Sequence, residues 1–230
     1  MFFGELPLHE AEGAILAHSV KHAGGMFKKG RTLTADDIAL LKSSDVRTVF
    51  AARLGPDDVP EDEAAAAVAK CVGAVGTTAQ APFTGRANLH ASCHGLAVID
   101  VARVRALNRL HESLTLATVQ PFAIVEEREM VATVKVIPFA VPRDVLEKAL
   151  SIIGDEPLVR VEAFRNKRAG LVITRLPQTK PSIIAKSEDA MRERIDALGG
   201  TLAAVRIVEH GIGEVTEAIR ELSSLGCDPI

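Results

Sequence analysis

Apolar positions along the chain change period several times, and each change marks a new element. Ile15 to Val20 is an apolar-rich run that reads as a strand, Gly24-Gly25 marks a turn, and Met26 to Gly30 reads as the far arm of a hairpin. Thr34 is placed to cap a helix, because its hydroxyl can accept from the backbone N–H three residues on. Asp36 and Asp37 follow in the first turn, where the helix dipole favours negative charge. Leu33, Ile38 and Leu41 give that helix a buried face, and Val46 to Arg53 reads as the next strand with Val49 inside.

Gly55 to Pro60 has the composition of a turn and feeds an Ala-rich helix over Glu61 to Val72. From about Thr77 to Pro138 the pattern is mostly β, with the best strands at Leu96 to Ile99 and Glu129 to Ile137 and a short helix near Val101 to Leu110. Met130, Ala132, Val134 and Val136 alternate with Val131, Thr133 and Lys135. The first set is the more uniformly apolar and is expected to face the core.

A different texture begins near Pro142. Arg143 to Ile153 is amphipathic and stops at Gly154, Leu158 to Phe164 is extended, and Ala169 to Thr174 is a nearly continuous apolar run. Helices are predicted over Ser182 to Leu198, ended by Gly199-Gly200, and over Glu214 to Leu225, ended by Gly226, with the strand Thr201 to Val208 between them. Strand, helix, strand, helix at this spacing predicts a parallel sheet. A third parallel strand is expected to begin around Asp228-Pro229-Ile230. Parallel sheets are normally covered on both faces, so this region is expected to be part of a longer protein, or else a second chain completes the sheet, as in a homo-oligomer.

These patterns predict an α/β class: an α+β N-terminal part with mixed and antiparallel strands, followed by an incomplete parallel-sheet α/β domain. Three segments are expected, a β/α segment over 1–60, a mostly β region over 61–164, and a partial α/β domain over 165–230.

Composition narrows the partners. Lys+Arg 27 against Asp+Glu 30, with no Trp, no Tyr and eight Phe, supplies neither a basic footprint nor a base-stacking platform for nucleic acid. No apolar run approaches the roughly 18 residues of a membrane span, and the opening Met-Phe-Phe-Gly-Glu has no secretory pattern. Three Cys form no even-numbered disulfide framework. The expected compartment is the cytoplasm.

Few residues suggest chemistry. His90, Cys93 and His94 lie close together, but a structural zinc site needs four ligands and usually two spaced pairs, so no metal is expected there. Neither phosphate-loop fingerprint nor G-x-S-x-G occurs, and His210-Gly211-Ile212-Gly213 reads as a plain loop-to-helix turn. Arg160, Arg165, Lys167 and Arg168 form the only dense basic patch, before the apolar strand. In open α/β sheets ligands bind beyond the carboxyl ends of strands. That rule points to the segment after the strand, where Arg175 and Lys180 could hold an anion and the hydroxyls of Thr174 and Thr179 could donate to it. The alternative is a solvated loop whose charges aid solubility.

Several segments taken together resemble the MoeA-like molybdopterin-binding family. They are Leu6-Pro7-Leu8-His9-Glu10-Ala11-Glu12-Gly13-Ala14-Ile15-Leu16-Ala17-His18, Lys29-Gly30-Arg31-Thr32-Leu33-Thr34-Ala35-Asp36-Asp37-Ile38, Pro82 to Leu89, and Met130 to Pro142. From Ala169 the chain is similar to the opening of the molybdopterin-binding α/β domain of molybdotransferases and adenylyltransferases. The resemblance implies a binding module of molybdenum cofactor synthesis, with molybdopterin as its small-molecule ligand, magnesium as in related enzymes, and a nucleotidyltransferase domain further along the full protein. Two rival readings stand beside it, a molybdotransferase and a structural or regulatory region. Molybdotransferases carry a Thr-Gly-Asp-Glu turn after the first strand of this domain, whereas this chain has Thr174-Arg175-Leu176-Pro177, so only the threonine matches.

Overall fold

Helices and strands alternate along residues 1–230 of the computed structural model, and the strands form several small, mostly antiparallel sheets, so the chain is α+β. Contacts divide it into two units, Met1–Cys93 with Ala97–Val161, and His94–Leu96 with Glu162–Ile230.

The first unit opens with β1 (Phe2–Pro7), β2 (Ile15–Leu16), β3 (Val20–His22), β4 (Gly25–Phe27), α1 (Ala35–Ser43) and β5 (Thr48–Arg53). β5 pairs antiparallel with β1 and β2, and β3 with β4. The expected strand Ile15 to Val20 is therefore two short pieces. Ile15–Leu16 joins β5, while the Ser19 hydroxyl accepts from the Lys29 N–H at 3.2 Å, a local side-chain bond that turns the chain into the β3–β4 hairpin. Thr34 caps α1 in a reciprocal box: its hydroxyl accepts from the Asp37 N–H and the Asp37 carboxylate accepts from the Thr34 N–H. Leu6, Leu8, Leu16, Leu33, Leu41 and Val49 are among the residues of one buried cluster that spans Leu6 to Ala51.

There follow β6 (Asp58–Pro60), α2 (Glu61–Val72), β7 (Thr77–Ala79), β8 (Arg86–Ala91), β9 (Gly95–Ile99), α3 (Val101–Asn108), β10 (Leu114–Thr118), β11 (Ile124–Val125), β12 (Met130–Val136), β13 (Ala140–Pro142), α4 (Arg143–Ile153) and β14 (Val159–Ala163). One sheet runs β10-β12-β8-β7, a second β11-β9-β14, and β13 pairs with β6. α2 starts with Glu61, Asp62 and Glu63 in its first turn and buries Ala64, Ala65, Val68, Ala69 and Val72. These small side chains let the helix pack on β8, β12 and α4. The second buried cluster runs from Val59 to Val161.

The inward set expected for β12 holds in part. Ala132, Val134 and Val136 are buried, but Val131 is buried with them and Met130 is exposed. The register against β8 shifts between Met130 and Ala132, so Val131 is an extra residue that resets the alternation.

The second unit contains β15 (Arg168–Arg175), α5 (Pro181–Asp196), β16 (Thr201–Glu209) and α6 (Ile212–Ser224). β15 and β16 are parallel, with Arg175 opposite Glu209. The expected start of a third parallel strand takes another course. Asp228 forms an antiparallel bridge with Arg168, and the Pro229 carbonyl accepts from the Gly170 N–H at 2.9 Å, because the turn after α6 returns the chain to the beginning of β15.

Candidate anion site at the strand ends of the second unit

A parallel β-α-β-α run places the carboxyl ends of its strands and the N-termini of the helices that follow them at one edge of the sheet. Here that edge gathers Thr174 and Arg175 from the end of β15, Glu209 from the end of β16, His210, and the openings of α5 and α6. The Thr174 hydroxyl lies 3.1 Å from His210 Nδ1, and the His210 N–H donates to the Arg175 carbonyl at 3.2 Å. These two contacts hold both strand ends in register. Arg175 Nε donates to Glu209 Oε1 at 2.8 Å, with both side chains more than half exposed.

The loop between β15 and α5 is ordered by its own backbone. Thr179 Oγ1 accepts from the Leu176 N–H, and the Leu176 carbonyl accepts from the Thr179 N–H, each at 2.9 Å. The Thr179 hydroxyl proton therefore stays available to a further acceptor. Lys180 is the N-cap residue of α5 with its side chain exposed, and Pro181 opens the helix, where a missing N–H costs nothing. α6 begins after Gly211, and its first-turn N–H groups lack intrahelical carbonyls. The Glu214 carboxylate folds back over this end, so that a Cβ on Gly211 would lie 2.1 Å from its oxygen. Beside it His210, Gly211, Ile212, Val215 and Thr216 line a cavity of about 340 Å³, with Ile212 90% exposed at its wall.

All four residues singled out in the sequence thus fall on one edge, with Thr174 and Arg175 on the strand end and Thr179 and Lys180 at the helix entry. The sequence reading missed their partners. Glu209 carries no motif, and His210 to Gly213 passes as an ordinary turn; only the parallel register brings them to Thr174 and Arg175. The basic run lies elsewhere in the fold: Arg168 opens β15, and Lys167 is ion-paired with Asp228.

The arrangement can hold an anion. It offers one guanidinium, one ammonium, two hydroxyls and the positive ends of two helix dipoles, and at rest the carboxylates of Glu209 and Glu214 stand in for that anion. The turn after β15 contains no carboxylate. No group of three or more His, Cys, Asp or Glu side chains is placed to hold a metal.

Comparison with known proteins adds one match. The model of a domain of unknown function, DUF8806, fits residues 5–53, which is the stretch that carries the buried cluster from Leu6 to Ala51. No curated protein and no solved structure shows significant similarity to the chain.

Proposed function

We propose that the chain is a binding module for a phosphate-bearing pterin of the molybdopterin class, serving molybdenum cofactor synthesis, and that the ligand's phosphate sits at the carboxyl edge of β15 and β16. The observation that carries this reading is the convergence of Arg175, Lys180, Thr174 and Thr179 with two helix N-termini at one edge. The pterin itself comes from the resemblance of the chain to MoeA-like proteins.

Binding works by exchange. The phosphate replaces Glu209 as the partner of Arg175, the Thr179 hydroxyl donates to it, Lys180 adds a second charge, and Ile212 and Val215 give the ring an apolar wall. With Leu176 and Pro177 where a molybdotransferase turn has its two acids, and Arg175 in place of its glycine, Thr174-Arg175-Leu176-Pro177 favours holding the ligand over transferring molybdate to it. No helix is long and apolar enough to cross a membrane, and this reading sets the module in the cytoplasm, where the cofactor pathway would supply its ligand.

Glu209→Gln tests the exchange. Removing a competing exposed carboxylate worth about 0.2–1 kcal/mol should tighten molybdopterin binding by roughly 1.5- to 5-fold. Binding of a pterin without phosphate should be unchanged. Unaltered or weaker molybdopterin affinity in calorimetric titration would oppose the proposal.

A further inference from the structure

A second cavity, in the first unit, has a charge pattern that the pterin reading does not use. Lys29, Gly30, Glu61, Thr84, Lys135 and the run Ile137-Pro138-Phe139 enclose about 360 Å³, within the size range of small-molecule sites. Four separate stretches of chain meet there.

The walls are built, not incidental. Phe83 to Arg86 is a two-residue hairpin turn closed by backbone bonds of 2.9 and 3.2 Å, and Thr84 and Gly85 both have positive φ, the geometry such tight turns need. The absence of a side chain at Gly85 makes room for Glu61, since a Cβ there would lie 2.6 Å from its carboxylate oxygen. The Gly85 N–H is taken by Asp62 Oδ1 at 2.7 Å, which fixes the turn to the start of α2. Lys135 Nζ donates to the Thr84 carbonyl at 2.8 Å, so its ammonium is aimed and still has protons to give. Lys29 Nζ lies 5.9 Å from the centre of the Phe139 ring. The Phe139 carbonyl accepts from the Glu61 N–H at 3.0 Å and ties the apolar wall to the helix.

Charge counting selects the ligand. Two ammonium groups face one carboxyl, and burial together with neighbouring Asp62 pushes that carboxyl above its ordinary range, against the opposing pull of Lys135 and Lys29. Two cations match a dianionic phosphomonoester, whereas a monocarboxylate would leave one ammonium without a partner. The apolar wall of Ile137, Pro138 and Phe139 calls for a flat organic body beside the phosphate.

We propose that the cavity between Lys29, Glu61 and Lys135 is a binding site for a small aromatic phosphomonoester, with Lys29 and Lys135 on the phosphate and the ring against Pro138 and Phe139. This site goes beyond the pterin reading and does not depend on it.

The test uses phenyl phosphate on the full chain, followed by calorimetry and by chemical-shift mapping. Saturable binding should perturb Lys29, Glu61, Lys135 and Phe139, with a Kd at least tenfold below those of inorganic phosphate and benzoate. Lys135→Ala should raise that Kd tenfold or more; Lys135→Gln, which keeps an amide donor for Thr84, should fold normally and still lose affinity. Glu61→Gln should tighten binding at pH 7.5, because it replaces a carboxyl that competes for the two ammonium groups with an amide that can donate. Lys70→Ala, on the last turn of α2, should leave it unchanged. Equal affinity for inorganic phosphate, shifts confined to other residues, equal losses in Lys70→Ala and Lys135→Ala, or weaker binding by Glu61→Gln would each overturn the assignment.

Discussion

Asp37 shows how much one side chain can organise. Its carboxylate accepts from Arg31 Nε and from an Arg31 terminal nitrogen at 2.8 Å each, caps Thr34, and is 5% exposed. The hydrogen bonds from Arg31, then those of Thr34, hold the carboxyl below its ordinary range despite its desolvation. A depressed folded-state pKa contributes stability that is complete above the unfolded value of about 3.9 and is lost as pH falls through the folded one. Asp37→Ala should therefore cost about 1–2 kcal/mol at pH 7, by loss of the cap and its charged bonds. The gap between variant and parent in urea unfolding should narrow on going below roughly pH 4; a gap independent of pH would contradict this. Gly76 is a position where only glycine fits. Its φ is +74°, and a Cβ would meet the Val161 carbonyl oxygen at 2.0 Å. Gly76→Ala should destabilise by roughly 2–5 kcal/mol, the sum of left-handed strain and overpacking, read as a lower Tm. An unchanged Tm would refute that close approach.

At the scale of elements, the sequence was most legible where capping and periodicity agreed. Thr34 with Asp37 marks the start of α1, and the acidic opening and alanine run of α2 give its limits as found, Glu61–Val72. Strand interiors were harder to read, because period two survives only while the ladder is regular. The extra residue at Val131 turns Met130 outward, and the Ser19–Lys29 bond splits what reads as one strand from Ile15 to Val20. Neither event depends on hydrophobicity, so the apolar pattern carries no trace of it. The helices also differ in how much they bury. α2 buries five side chains and α5, though longer, has none fully buried. Amide hydrogen exchange should accordingly be slower in the middle of α2 than of α5, since local opening costs less where little apolar surface is lost from contact. Equal protection would mean that α5 is held by something beyond its own packing.

At the scale of the whole molecule, apolar burial is concentrated in the first unit, in two clusters over Leu6–Ala51 and Val59–Val161. The candidate ligand edge lies in the second unit, on a two-stranded parallel sheet. Half of that site was legible beforehand. The rule that ligands sit beyond strand carboxyl ends leads to Thr174, Arg175, Thr179 and Lys180 from the order of elements alone. Glu209, His210 and Glu214 were hidden, because which side chains face across an edge is set by strand register and by how a helix folds over its own first turn. The cavity between Lys29, Glu61 and Lys135 was hidden for a related reason: its residues come from four stretches of chain, and no single stretch carries a motif. The proposal for the second unit rests on the polarity of β15, since Arg175 closes the strand and Arg165 precedes its start. A charge-assisted hydrogen bond is worth about 1.5–3 kcal/mol, or roughly tenfold to a hundredfold in affinity. The decisive measurement is titration of Arg175→Ala and Arg165→Ala with molybdopterin. The account predicts a loss of that size for Arg175→Ala and little change for Arg165→Ala; equal losses, or a larger loss for Arg165→Ala, would contradict it.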